Sequence, residues 1–262
     1  MKRILTFLFA TMLFVSGCSS GAAEHALKSI DVQDKKNPPS SFIPKDVEIV
    51  SVGDSLTQGV GDSTNQGGYI PYLKKDLETL KEVRSANFQN YGVKGNRTDQ
   101  LEKRLDQKEI KKAIKKADLV IITIGGNDVM QVFKDNFSSL QVSKFEQALV
   151  GYKKRLGEII ETIRENNPET GIVLVGIYNP FIKWFSDIKE VDEIIKEWNQ
   201  ASEQILAKYS KTKFIPIFDI FENQEEDLLY TDYFHPNDHG YKLMAKRIFS
   251  YLDNNKLAQF IE

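Results

Sequence analysis

The sequence predicts an α/β domain of three layers, a five-stranded parallel sheet covered by helices on both faces. Three observations carry the prediction. Five short apolar runs rich in Val, Ile and Phe occur at 47–52, 86–91, 119–124, 172–177 and 214–218, and each precedes a longer stretch with helical spacing. The runs are nearly continuous in hydrophobic residues, as in strands buried on both faces. Strand and helix alternate along the chain, an order that favours parallel pairing through crossover helices.

The segments before the first strand read differently. Lys2 and Arg3 lead an apolar run at 4–15 that is short for a bilayer span and is followed by small residues, which predicts a secretion signal over 1–17. Cys18, the single cysteine, closes the order Val15, Ser16, Gly17, Cys18. This resembles the bacterial lipoprotein signal, and the resemblance implies that Cys18 is lipidated and becomes the mature N-terminus. With no second cysteine, an internal disulfide is excluded. Residues 18–44 are rich in Ser, Ala, Lys, Asn and Pro and lack a sustained apolar period, so they read as a tether. As flexible coil it would span on the order of 30 Å. The expected placement is the extracytoplasmic face of a bacterial cell membrane, with residues 45–262 forming the folded domain.

The helices follow from periodicity. Phe145, Leu149, Tyr152, Leu156, Ile159, Ile160 and Ile163 share one face, with Ser143 and Glu146 spaced as a capping box and Asn167 and Pro168 as a stop. Val191, Ile194, Ile195, Trp198, Ile205 and Tyr209 form a second stripe, and Tyr241, Met244, Ala245, Ile248, Phe249 and Leu252 a third, with Asn237 as a cap. All three read as core. The 262 residues, 41% hydrophobic, supply one sizeable core, and 35 Lys and Arg against 37 Asp and Glu exclude a strongly basic nucleic-acid binder.

In open parallel sheets, ligands sit beyond the carboxyl ends of the strands. There the chain carries Gly53-Asp54-Ser55-Leu56, then Gly92-Val93-Lys94-Gly95-Asn96, then Gly125-Gly126-Asn127-Asp128, and near its end Asp232 and His235. In order and context these blocks resemble the SGNH, or GDSL, hydrolase family, across residues 47 to the C-terminal helix. The resemblance implies that family's flavodoxin-like fold, with Ser55, Gly95, Asn127 and His235 as the four signature residues. It further implies an oxyanion hole made by the backbone N–H groups of Ser55 and Gly95 and the Asn127 side chain.

The residues support this separately. A serine hydroxyl needs a base to remove its proton. Of three histidines, His25 falls in the tether and His239 in the first turn of the last helix, leaving His235, which Asp232 can reach from three residues upstream. Ser55, Asp232 and His235 are therefore the expected catalytic set. Asp54 and Asp128 read as supports for local backbone groups. Gly17-Cys18-Ser19-Ser20-Gly21 matches the nucleophile-elbow pattern in letters, but lacks a strand before it and a helix after it. Metal-ligand spacing and a phosphate-loop lysine are absent, so neither metal nor cofactor is expected.

A carboxylic ester, small or lipid such as a lysophospholipid, is the expected substrate. A carbohydrate or cell-wall O-acetylester is the rival, and a ligand-binding lipoprotein without catalysis a second. Phe133, Phe137, Phe181, Trp184 and Phe185 follow the strand ends; two readings of them stand open, the walls of an acyl pocket or satellite core under long loops.

Overall fold

Strands β1 (Lys45–Gly53), β2 (Val83–Gly92), β3 (Leu119–Thr123), β4 (Gly171–Val175) and β5 (Thr212–Ile215) pair in parallel in the order β2-β1-β3-β4-β5. The computed structural model describes residues 43–179, 181, 188–222, 224–253 and 256–261. The predicted signal, Cys18, nearly all of the predicted tether, Trp184 and Phe185 lie outside the described residues. The strand order is the doubly wound one, with its reversal between β1 and β3, where such sheets open a crevice.

β3 and β4 are buried at every residue, which is why both read as unbroken apolar runs. β2 begins three residues before its apolar run. There, the Arg84 guanidinium donates to the Asp46 carboxylate at 2.8 Å and the Ser85 hydroxyl to the same group at 2.6 Å, so polar residues extend the edge strand.

Between and after the strands come α1 (Ser55–Gln58), α2 (Ile70–Leu77), α3 (Thr98–Leu105), α4 (Lys108–Ile114), α5 (Gly126–Asp135), α6 (Val142–Asn166), α7 (Lys189–Leu206), α8 (Phe218–Phe221), α9 (Glu225–Leu228), α10 (Asp238–Ser250) and α11 (Ala258–Ile261). Successive strand side chains leave the sheet on opposite faces. Val50, Val52, Val120, Ile122 and Leu174 pack on one side with the apolar stripes of α3, α6 and α7. Ile49, Ile121, Val173 and Ile215 pack on the other with those of α2 and α10. Three layers result, as expected. No helix among the described residues is long and apolar enough to cross a membrane.

Two helix starts can be compared with expectation. Asn237 caps α10, its side chain accepting from the His239 and Gly240 N–H groups at 2.9 and 3.0 Å. The capping box at Ser143 and Glu146 is not formed. The extended residue before α6 is Gln141, whose carbonyl already takes the Lys144 N–H at 3.0 Å, so Ser143 lies inside the first turn.

Candidate active site

The turn after β1 is set by close approach of two strands. Gly53 has φ of 139°, and a Cβ there would fall 2.0 Å from the Thr123 carbonyl oxygen; only glycine fits. The Asp54 N–H donates to that carbonyl at 3.0 Å. Its carboxylate takes the Leu56 N–H at 3.0 Å and the Thr123 hydroxyl at 2.8 Å, capping α1. Burial pushes the Asp54 carboxyl up to about 7, against these two hydrogen bonds, which favour its charged form. Asp54 thus braces the turn on which Ser55 sits. Ser55 is buried and, among the described residues, its backbone N–H has no protein acceptor.

The second and third blocks are pinned to each other. Gly95 has φ of 80° with open space where a Cβ would lie, so dihedral rather than crowding asks for glycine. Its N–H also has no protein acceptor among the described residues. Asn127, in the first turn of α5, donates through Nδ2 to the Asn96 carbonyl at 3.0 Å, which orients the amide and leaves its second hydrogen for a ligand. Asp128 accepts from the Thr98 N–H at 2.9 Å and hydroxyl at 2.5 Å, and from Arg155 at 3.1 Å. Burial raises the Asp128 carboxyl, offset by Thr98 and Arg155. Like Asp54, it works as a brace, fixing the start of α5 against α3 and α6.

The fourth block is a loop clamped between α9 and α10. The Tyr230 N–H donates to the His235 carbonyl at 2.7 Å and the Asn237 N–H to the Leu228 carbonyl at 2.9 Å. Asp232 Oδ1 accepts from the Phe234 and His235 N–H groups, each at 3.0 Å, and Oδ2 lies 2.6 Å from His235 Nδ1. The imidazole is therefore held by Nδ1, which leaves Nε2 for a proton acceptor role. Burial pulls the His235 ring below its ordinary 6.5, more than the Asp232 hydrogen bond and charge push it up, and Lys94 adds to the lowering. Asp232 itself is raised by desolvation, but the hydrogen bonds from His235 and Phe234 outweigh this and hold it below the usual carboxylate range. His239 is exposed in the first turn of α10.

Two adjoining cavities gather these residues. One contains Asp54, Ser55, Gly126, Asn127, Tyr178 and Phe234. The other, of about 660 Å³, contains Lys94, Gly95, Asn127, Phe133, Phe181 and His235 among its walls. They share Asn127 and Phe234. Among the described residues no hydrogen bond joins Ser55 Oγ to His235; Ser55 lines the first cavity and His235 the second. The sequence reading did not single out Asn96, Arg155 or Tyr178. Tyr178 donates its hydroxyl to the Phe234 carbonyl and so holds the histidine loop against the serine cavity. Among the described residues, no group of three or more His, Cys, Asp and Glu could hold a metal ion.

The sheet order and this clustering at its carboxyl edge define an α/β/α hydrolase. The sequence profile of the GDSL-like lipase/acylhydrolase family matches residues 51–243, and the chain belongs to that family: it is a carboxylic ester hydrolase with the SGNH fold. It is 36% identical over 262 residues to the uncharacterized protein YpmR of Bacillus subtilis strain 168, covering 98% of both chains. To the spore germination lipase LipC of Bacillus licheniformis it is 28% identical over 208 residues, covering 77% of this chain and 94% of that one. A lipase from a goat rumen metagenome superposes with a TM-score of 0.70 at 27% identity, covering 78% of this chain and 96% of the lipase. A catalytic mutant of an acetylxylan esterase from Geobacillus stearothermophilus shares the fold, with a TM-score of 0.60 at 19% identity and 80% and 96% covered.

Proposed function

We infer that this chain is an exported serine esterase that cleaves acyl esters, lipid or lysophospholipid esters above all, through an acyl-serine intermediate. The observation that carries the reading is the 2.6 Å contact of Asp232 with His235 Nδ1, on a cavity that shares Asn127 with the one holding Ser55. In the proposed reaction, Ser55 Oγ bonds to the ester carbonyl carbon while its proton passes to His235 Nε2, and the carbonyl electron pair moves to oxygen. The Ser55 and Gly95 N–H groups and Asn127 Nδ2 receive that oxyanion. Collapse breaks the bond to the alcohol oxygen, which takes the proton from His235. Water then attacks the acyl-serine, giving its proton to the same nitrogen, and the acid leaves as Ser55 recovers a proton. Apolar walls beside the histidine favour an acyl chain over acetyl, and the lipase names of two relatives agree with this.

The test is covalent labelling by a serine-directed phosphonate, with Ser55→Ala as control. Wild type should be labelled at Ser55 only. Because His235 must be neutral to act as base and its pKa is lowered, the labelling rate should be flat near neutrality and fall on acidification, with a midpoint below 6.5. Labelling elsewhere, or a rate that ignores pH, would falsify the assignment. The anchor has its own test: cells fed a labelled fatty acid should transfer label to the wild-type chain and not to a Cys18→Ser chain, and label retained on the variant would discard the lipidation site.

A further inference from the structure

The amino edge of the sheet, opposite the catalytic one, carries a basic surface that neither the core nor the proposed reaction uses. Residues 108–117, which are α4 and the turn after it, hold five lysines and one acid, Glu109, in a chain whose net charge is -2. Ile110, Ala113 and Ile114 pack into the core, and the lysines take the other side. Lys111 pairs with Asp106 at 2.8 Å. Lys108, Lys112, Lys115 and Lys116 are exposed and, among the described residues, have no carboxylate partner. Lysines near a helix C-terminus complement its dipole, which accounts for part of the cluster. The rest is repulsion: Lys108 and Lys112, Lys111 and Lys115, and Lys112 and Lys116 stand four positions apart, where like charges destabilise a helix. Stability of α4 therefore does not explain these lysines, and an anionic surface laid against them would relieve the repulsion.

The described chain enters the domain beside this cluster. Ile43, Pro44 and Lys45 are exposed, and β1 starts at Lys45. Asp118, two residues beyond Lys116, donates its N–H to the Glu48 carbonyl at 2.8 Å and accepts the Glu48 N–H on its carboxylate at 2.8 Å. The exit of α4 is thereby fixed against the start of β1. Burial raises the Asp118 carboxyl, and the Glu48 N–H and then the charge of Lys45 oppose it. β1 has nine residues, so about 30 Å separate this edge from the one that carries Ser55. We propose that the lysine face of α4, together with Lys45, docks on an anionic lipid bilayer and turns the catalytic cavity away from it. Charge complementarity and the entry point select this occupant, because the segment read as a lipidated tether joins the domain at the same edge. The inference rests on the anchored, exported reading above. It makes the enzyme take its ester from the space beyond the membrane rather than from the leaflet that holds it.

The experiment measures co-sedimentation of the full chain, carrying Cys18→Ser in every arm so that no lipid differs between samples, with vesicles of phosphatidylcholine alone or mixed with phosphatidylglycerol. Any apolar affinity of the N-terminal segment is common to both vesicles, so the preference for phosphatidylglycerol reads the charges. Each lysine near an anionic surface contributes roughly fivefold in affinity. Exchanging Lys108, Lys112, Lys115 and Lys116 together for Gln, which keeps helix propensity, should cut that preference more than tenfold. The pair Lys115→Gln and Lys116→Gln, a milder change should the fourfold variant not fold, should cut it by an intermediate factor. The comparison variant removes the same charge from the catalytic edge, by exchanging Lys94, Lys134, Lys144 and Lys189 for Gln, and should cut it less than about threefold. No preference for phosphatidylglycerol in the unexchanged chain, equal losses in the two fourfold variants, or a larger loss from the catalytic edge overturns the proposal; the last result would turn the active site toward the membrane. The fatty-acid label decides the anchor separately, so failure of the docking face and failure of the anchor are told apart.

Discussion

Replacing Ser55 by alanine is expected to lower kcat for ester hydrolysis by roughly 10⁴- to 10⁶-fold while the protein stays folded. The hydroxyl is the bond-forming atom in the proposed reaction, so no neighbouring group can substitute for it. Among the described residues it makes no hydrogen bond, and the turn around it is held by Asp54, Thr123 and Leu56, so the melting temperature should move little. His235→Ala should cost about as much, because a serine without its base is a poor nucleophile. The double variant should then be only slightly worse than either single one, as for residues that act as a unit. Asp232→Asn should cost less than the about 10⁴-fold associated with a buried triad carboxylate: the Asp232 side chain is 39% exposed, and water can take over part of its work at Nδ1. Steady-state kinetics on one soluble ester decide these points. Two single losses that multiply in the double variant would mean that Ser55 and His235 act independently.

How much of this was legible in the sequence depends on how local the cause was. β3 and β4 were plain because both faces are covered, so burial alone writes the pattern. The cap at Asn237 was legible because its partners, the N–H groups of His239 and Gly240, are two and three residues away. The pairing of Asp232 with His235 spans three residues and was readable for the same reason. Ser143 misled because a hydroxyl three residues before a glutamate signals a cap only when the chain enters the helix there, and Gln141 enters first. Arg155 was silent: it sits on the polar side of α6 and reaches Thr98 and Asp128, 57 and 27 positions away. The apolar cavity lined by Phe133, Phe145, Phe181, Ile194 and Ile195 was silent too. Phe145, Ile194 and Ile195 follow core spacing, and nothing in a helical stripe says whether a wall faces packed atoms or a void.

Asn127→Ala is the second large effect, and it separates a donor to the transition state from a brace of the fold. The Asn127 amide is turned by its bond to the Asn96 carbonyl, and Asn96 is in turn held by Arg104 at 2.9 Å. Such an amide is preorganised: its free hydrogen points at a fixed place before charge develops there, and no reorganisation is needed when the oxyanion forms. Removing it should reduce kcat by about 10²- to 10³-fold, equivalent to about 2.7 to 4 kcal/mol, with KM little changed, since the ground-state carbonyl gains less from the donor than the oxyanion does. The backbone donors of Ser55 and Gly95 remain, which is why the loss should stop well short of that at Ser55. A purely structural role predicts another pattern. Loss of the Asn96 contact costs about 1 kcal/mol of stability and would lower the melting temperature without a selective fall in kcat. Asn127→Asp sharpens the contrast: it keeps the shape but exchanges the donor for an acceptor facing both the Asn96 carbonyl and the oxyanion, so it should be at least as inactive as the alanine variant. If kcat falls less than tenfold in both variants, Asn127 does not serve the oxyanion.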